Sequence, residues 1–483
     1  MASHEPNTVV HTQGVDIESV DQDYFASRQL KKGAAGWVLL IGLGVAYVIS
    51  GDYAGWNFGL GQGGWGGMLL ATLLMACMYL CMCFSLAELS SMIPTAGGGY
   101  GFTRTAFGPW GGFLTGTAIL MEYAIAPAAI ACFIGSYCES LFGLGGWEVY
   151  LAFYVIFIGI HVLGAGEALK IMFVITAIAA CALAVFIFAM APHVELKNLF
   201  DIPASTTAVG ASDFLPHGYF GIWAAIPYGM WFFLAVEGVP LAAEETKNPK
   251  RDLPRGLIGA VLVLLTFASL ILLVGPGAAG AQALVSTGNP LVEGLVKVYG
   301  QSTWMSQFVN IVGLAGLVAS FFSIIYAYSR QIFALSRAGY LPRSLSITNK
   351  NKAPVAALIV PGVFGFALSL TGQGDLLILI AVFGATLSYV LMMAAHITLR
   401  VRRPDMPRPY RTPGGIVTSS IALVLAAIAL LAGFLVDPRV VFGAIVIYAL
   451  FIAYFAFYSR HHLVSGTPEE EFAAVKAAEE ALH

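Results

Sequence analysis

The chain has 483 residues, of which 58% are hydrophobic and 11% charged, against roughly 25% charged in a soluble protein. A mean hydropathy of +0.80 excludes a soluble fold of this length, and a net charge of −3 with no basic nucleic-acid patch excludes a nucleic-acid binder. The solvent for most of the chain is lipid.

Met1 to Lys32 is polar and acidic and lacks the basic, apolar, small-residue succession of a cleaved signal peptide. The first membrane helix is therefore expected to act as its own insertion signal. Roughly 20 apolar residues cross a bilayer core, and that ruler gives twelve spans: 36–61, 67–92, 110–141, 147–165, 169–191, 219–243, 256–279, 304–336, 354–371, 374–399, 415–436 and 438–459. Spans three and eight are too long for a vertical crossing and are expected to tilt or extend beyond the core. The loop 192–218 is mixed and contains Pro, Ser and Thr, and Thr467-Pro468-Glu469-Glu470-Glu471 has the spacing of a capping box opening a short terminal helix. With the first terminus inside, 21 of the 24 Lys and Arg fall on the inner side and only Lys197, Lys297 and Arg439 on the outer, which places both termini in the cytoplasm.

Two acids stand out. Asp52 lies in Ser50-Gly51-Asp52-Tyr53-Ala54-Gly55-Trp56 and Glu237 beside Gly238 and Pro240. A carboxylate at bilayer depth costs at least ~2.5–3.5 kcal/mol on insertion scales. The flanking glycines let a helix unwind and turn backbone polar groups toward a cavity. Spans one and six are thus expected to be broken, and breaks at corresponding places in two halves point to an inverted-repeat transporter with its site near the midplane. A carboxylate there favours a cationic ligand. Tyr53, Trp56, Trp231 and Phe233 are candidates to close over an ammonium group. Glu122-Tyr123 in span three is a further acid–aromatic pair, and Glu122 and Glu237 are the candidates for proton coupling. Glu88, Glu244 and Glu245 are expected to pair with inner arginines, His161 and His396 to be hydrogen-bonded helix residues, and the six cysteines to be buried small hydrophobes. No phosphate-binding loop, nucleophile triad or metal-ligand cluster is present in the sequence, so neither an enzyme nor a cofactor is expected.

Four stretches resemble the amino acid–polyamine–organocation transporter superfamily, most closely its bacterial ethanolamine permeases. They are Gly44 to Asp52; Ala87-Glu88-Leu89 with Ile93 to Tyr100 and Ala106-Phe107-Gly108; Ala242 to Gly256; and Ser329-Arg330 through Ala338 to Pro342. The resemblance implies an all-α membrane protein with a five-plus-five inverted-repeat core and two extra helices. Its organisation would be an N-terminal segment 1–35, repeats 36–191 and 219–399 around the loop 192–218, helices eleven and twelve in 400–460, and a tail 461–483. It also implies a location in a bacterial cytoplasmic (inner) membrane. It places substrate between the breaks, at Ser50, Gly51, Asp52, Tyr53, Trp56, Tyr123, Trp231, Phe233, Glu237 and Gly238.

Amino-acid carriers of the superfamily usually have Gly-Ser-Gly and then an apolar residue at the first break, where free N–H groups bind the substrate carboxylate. Here Ile49 and Asp52 replace the first glycine and the apolar residue. An added negative charge would repel a carboxylate by roughly 4 kcal/mol at 4 Å with an effective dielectric near 20. Some proton-coupled members use a lysine within span five, whereas here Lys170 stands only at its start. The expected function is a secondary permease importing ethanolamine or a related small amino alcohol such as choline by alternating access, as a uniport or with a proton. Cationic amino acid or polyamine transport on the same fold, and a receptor that moves nothing, are the alternatives.

Overall fold

A computed structural model of the chain describes residues 9–467 except 21, 31, 32, 34, 164, 301 and 302, with backbone alone for 22, 165–170, 435 and 439. The helices that carry the apolar runs are α1 (Trp37–Val48), α2 (Phe58–Met92), α3 (Gly99–Phe142), α4 (Trp147–Leu163), α5 (Ala165–Met190) and α6 (Gly218–Trp231). They continue with α7 (Pro249–Ala279), α8 (Trp304–Arg337), α9 (Val355–Ser369), α10 (Gly374–Arg402), α11 (Ile416–Val436) and α12 (Pro438–Phe457). Among the described residues nine helices are long and apolar enough to cross a membrane, counting α6 with the 3₁₀ stretch Val236–Glu245 that follows it. α1, α4 and α9 are apolar but shorter.

Several boundaries move from their expected places. Residues 58–61, expected to end span one, run directly into α2, with only Gly64 (φ 65°, ψ −177°) marking the corner between them. Likewise α3 begins at Gly99, well before residue 110, and turns at Gly108. The side chain of Lys170 and the expected helix after Thr467 lie outside the described residues.

Small residues set the helix spacing, as expected where lipid supplies no hydrophobic drive between helices. A Cβ on Gly63 would sit 2.6 Å from the Gly221 carbonyl oxygen of α6, and one on Gly316 of α8 would sit 2.4 Å from the Tyr53 ring. Large apolar side chains such as Leu163, Phe188, Leu450 and Phe457 are exposed on the flanks, forming a lipid-facing surface rather than a soluble one. Cys77 and Cys181 belong to that surface instead of the interior, whereas Cys83, Cys132 and Cys138 are buried.

A structured feature lies where the sequence offered only a polar segment. Strands β1 (Val9–Thr12) and β2 (Val15–Glu18) form a hairpin, and β2 pairs in parallel with β3 (Leu463–Val464) beyond α12. The two-residue turn Gln13-Gly14 has positive φ at both positions (50° and 75°), which matches the right-handed twist of a hairpin. This sheet defines the terminal face of the bundle. It rests on the chain that leaves α8: Val464 N–H donates to Ala338 O at 3.0 Å, and Arg343 reaches Glu18 at 2.8 Å.

Candidate functional site

α1 ends at Val48 and one more helical turn, Ser50–Tyr53, follows; the backbone then becomes extended at Ala54 (φ −159°, ψ 159°) and left-handed at Gly55 (φ 97°). Gly55 is therefore the conformational hinge. Gly51 has a different task, since a Cβ there would lie 2.3 Å from the Trp231 carbonyl oxygen. The two breaks touch through it. The Ser50 N–H donates to Ser320 Oγ of α8 (2.9 Å), and that hydroxyl donates to Ala46 O (2.7 Å).

The second break falls earlier than the sequence suggested. α6 stops at Trp231, the chain turns at 232–235 with Ala235 left-handed (φ 79°), and Val236–Glu245 resumes as a 3₁₀ helix. Gly238 lies inside that helix and serves proximity rather than unwinding, because a Cβ would meet Tyr123 Oη and the Tyr47 ring at 3.0 Å. Between the breaks is a small closed cavity of about 10 Å³ lined by Tyr47, Val48, Ser50, Ala126, Trp231 and Leu234. The Tyr47 hydroxyl is buried with no hydrogen-bond partner among the described residues.

The three acids occupy different surroundings. Asp52 is fully buried, and neither carboxylate oxygen has a partner among the described residues; it is not among the residues lining the small cavity. Glu237 accepts from Tyr123 at 3.0 Å and from Tyr389 of α10 at 2.8 Å, and Tyr389 in turn shares a hydrogen bond with Tyr79 of α2 at 3.1 Å. Glu122 faces Glu237 carboxyl to carboxyl, without a well-aligned hydrogen bond to either of its oxygens.

Both approaches to the cavity are shut. On the terminal face, Arg330 of α8 grips Glu245 (2.7 Å) and Arg337 grips Glu244 (2.7 Å), while Ala35 exchanges backbone hydrogen bonds with Glu245 and Lys247. On the opposite side, Trp231 Nε1 donates to Ala54 O at 3.0 Å and its ring lies 6.4 Å from that of Phe133. Phe133, Phe58, Tyr228, Glu139 and Asp375 line a vestibule of about 600 Å³ on that opposite side. One layer of aromatic rings separates vestibule from cavity.

Residues 36–457 match the family model described as amino acid permease. The chain belongs to the amino acid permease family. An uncharacterized transporter of Rhizobium meliloti is 28% identical over 403 residues, covering 81% of this chain and 85% of its own. The branched-chain amino acid permease BcaP of Bacillus subtilis is 26% identical, covering 72% and 77%. A vacuolar cationic amino acid transporter of Arabidopsis thaliana is 28% identical, covering 70% and 56%. This chain is accordingly a small-molecule transporter rather than an enzyme.

Of the residues singled out in this permease's sequence, Ser50 and Trp231 line the cavity, Gly51 and Gly238 let backbone and rings approach, and Tyr123, Glu237 and Glu122 form one cluster. Tyr53 and Trp56 point elsewhere. The Tyr53 hydroxyl donates to Ala179 O of α5 (2.7 Å) and its own carbonyl accepts from Tyr137 (3.1 Å); Trp56 stacks on Phe232 with centroids 5.8 Å apart. Phe233 packs on Tyr79. Sequence reasoning missed Tyr47, at the last turn of α1 beside the break, and Ser320 and Tyr389, which sit in regular helix with no charge or break to mark them. It also missed Asn57, whose amide ties the first break to the carbonyls of Leu284 and Thr287. The expected inner pairings of Glu244 and Glu245 are formed, and Glu88 is held by Arg400 and Arg408. His161 and His396 each have hydrogen-bond partners, Phe322 O for the former and Ser419 for the latter.

Proposed function

We propose that this permease carries ethanolamine, or a closely related amino alcohol, by alternating access across a bacterial cytoplasmic membrane, with the terminal face inside. The observation that carries the reading is the chemistry between the breaks: the space closed there is only about 10 Å³, room for about one water, so substrate enters as the breaks part, and its lining offers hydroxyl groups rather than cations. Tyr47 is an unengaged partner for a substrate hydroxyl. At the first break the Ser50 N–H is already taken by Ser320, so a carboxylate-bearing substrate would lose one of the backbone donors on which such carriers rely. Three buried acids, Asp52, Glu122 and Glu237, surround the breaks, while Arg330 is neutralised by Glu245.

In this reading Asp52, whose oxygens lack partners, turns toward the ammonium group when the first break rearranges, and the Glu122–Glu237 cluster is the candidate for carrying a proton. The membrane potential alone favours entry of a cation, by ~2.3 kcal/mol per 100 mV, so the proton is an option rather than a requirement. The helix count supports a twelve-span, inverted-repeat architecture, because the three shorter helices complete the alternation that returns both termini to one face.

A second reading, cationic amino acid transport, takes support from the Arabidopsis relative and the same acids. Uptake into proteoliposomes with an inside-negative potential, with and without a pH gradient, separates them. Ethanolamine accumulation that is lost in Asp52→Asn with the fold intact is the expected result. Uptake of lysine, arginine or putrescine but not ethanolamine would replace the first reading with the second. Normal ethanolamine uptake by Asp52→Asn would remove Asp52 from the site.

A further inference from the structure

A second concavity lies on the terminal face, away from the breaks. It is a groove of about 870 Å³ between the start of α1, the start of α7 and the chain before α11, lined by Trp37, Ile41 and Leu262 and by Lys250, Arg251 and Arg255. The three cations are exposed, and none is joined to an acid among the described residues, unlike the gate arginines nearby. Asp252, the acid of that helical turn, does not line the groove.

The order of chemistry along α7 is informative. Arg251, Arg255, Ile258 and Leu262 follow at intervals of four, three and four, so they form one stripe on a helix face. Over those 11 residues the helix rises about 16 Å, close to the half-thickness of a ~30 Å hydrocarbon core. The stripe therefore runs from guanidinium to exposed aliphatic surface over the depth of one leaflet. Trp37, 44% exposed, lines the groove from the start of α1, and tryptophan is a residue enriched at membrane interfaces.

We infer that this groove binds an anionic phospholipid, its phosphate held by Lys250, Arg251 and Arg255 and one acyl chain lying along Ile258 and Leu262. Charge complementarity selects this occupant over a second copy of the chain, which would bring two such cationic clusters together. A soluble phosphate would have no use for the apolar half. The assignment is independent of which substrate the permease carries.

Native mass spectrometry of the full chain in detergent, titrated with phosphatidylglycerol and with phosphatidylcholine of identical tails, tests it. A basic side chain near an anionic headgroup contributes roughly fivefold in binding. Lys250→Gln/Arg251→Gln/Arg255→Gln should therefore bind phosphatidylglycerol about a hundredfold more weakly and lose the preference over phosphatidylcholine. Arg255→Gln alone, for use where the triple variant does not fold, should lose about fivefold. Lys350→Gln/Lys352→Gln/Arg402→Gln, which removes exposed charges of the same face outside the groove, should change nothing. Equal binding of the two lipids by the parent, or equal loss in the control variant, would overturn the site. So would displacement of the lipid by inorganic phosphate, or a dimer that dissociates in the groove variant.

Discussion

Glu245→Gln removes the partner of a guanidinium whose side chain is 4% exposed. Arg330 donates through Nε and Nη2 to Glu245 Oε1 at 3.0 and 2.7 Å, and Tyr326 donates to Oε2 at 2.7 Å. Removing one member of a buried pair costs about 3–5 kcal/mol, because the remaining charge stays out of water. That cost falls on the closed gate, since opening it hydrates Arg330. At 1.4 kcal/mol per tenfold, the closed-to-open ratio should drop by between about a hundredfold and a few thousandfold. The assay is labelling of a cysteine placed at Ala126, in the cavity wall, by a membrane-impermeant thiol reagent added to inside-out vesicles. Cys77 and Cys181, the exposed native cysteines, are first replaced by alanine. Glu245→Gln should label much faster than the parent, while Glu245→Gln/Arg330→Met, which leaves no orphan charge, should fall back toward it. Labelling of Glu245→Gln at the parental rate, or effects of the two substitutions that simply add, would refute the gate.

Gly51→Ala drives a methyl group to 2.3 Å from a backbone oxygen that cannot yield; overpacking of ~1–3 kcal/mol should cut uptake by tenfold or more, whereas Gly433→Ala, whose Cβ meets only Val441 at 3.7 Å, should transport normally. Tyr389→Phe deletes a donor to Glu237, a hydrogen bond to an acid worth ~1.5–3 kcal/mol, and should lower thermal stability more than Tyr79→Phe, which touches Glu237 only through Tyr389. On the terminal face, His11 and His461 hold the Asp16 carboxyl below its ordinary value, with ring nitrogens 2.5 and 2.6 Å from its oxygens. A lowered carboxyl stabilises the folded form above its unfolded value near 3.8 and loses that effect as pH falls through the folded value. Protection factors for the β1 and β2 amides, exchange rates corrected for the intrinsic pH dependence, should be higher at neutral pH than below that range, and modestly lower already at neutral pH in Asp16→Asn, as expected of an exposed pair.

The apolar runs made the helices legible, since a residue count against bilayer thickness needs no tertiary information. The breaks were legible in kind, the first in place and the second displaced. Asp52 drew attention to Gly51 and Gly55, and of these Gly55 is the left-handed one; Glu237 drew attention to Gly238, yet the left-handed residue of the second break is Ala235. Glycines beside the acids are there because Trp231 O and the Tyr47 ring come close, which only the packed bundle reveals. Tyr53 reads as a pocket aromatic from its position, but its hydroxyl reaches α5, a direction set by the single helical turn on which it sits. Ser320 and Tyr389 act across 270 and 152 residues of chain, and no local pattern announces such partners. The hairpin at Val9–Glu18 was masked by polar composition, which describes a solvated segment and a short edge strand equally well.

β2 and β3 are separated by nearly the whole chain: Asp16 and His461 meet across 445 positions. During synthesis the hairpin therefore waits beside the membrane with one strand edge open while every helix is inserted, and only the emergence of Leu463 and Val464 closes it. Completion of this small sheet reports that the last helix has returned to the same side as the first. A chain inverted or stalled in its final pair of helices would leave that edge unpaired, open to the proteases that survey newly made membrane proteins.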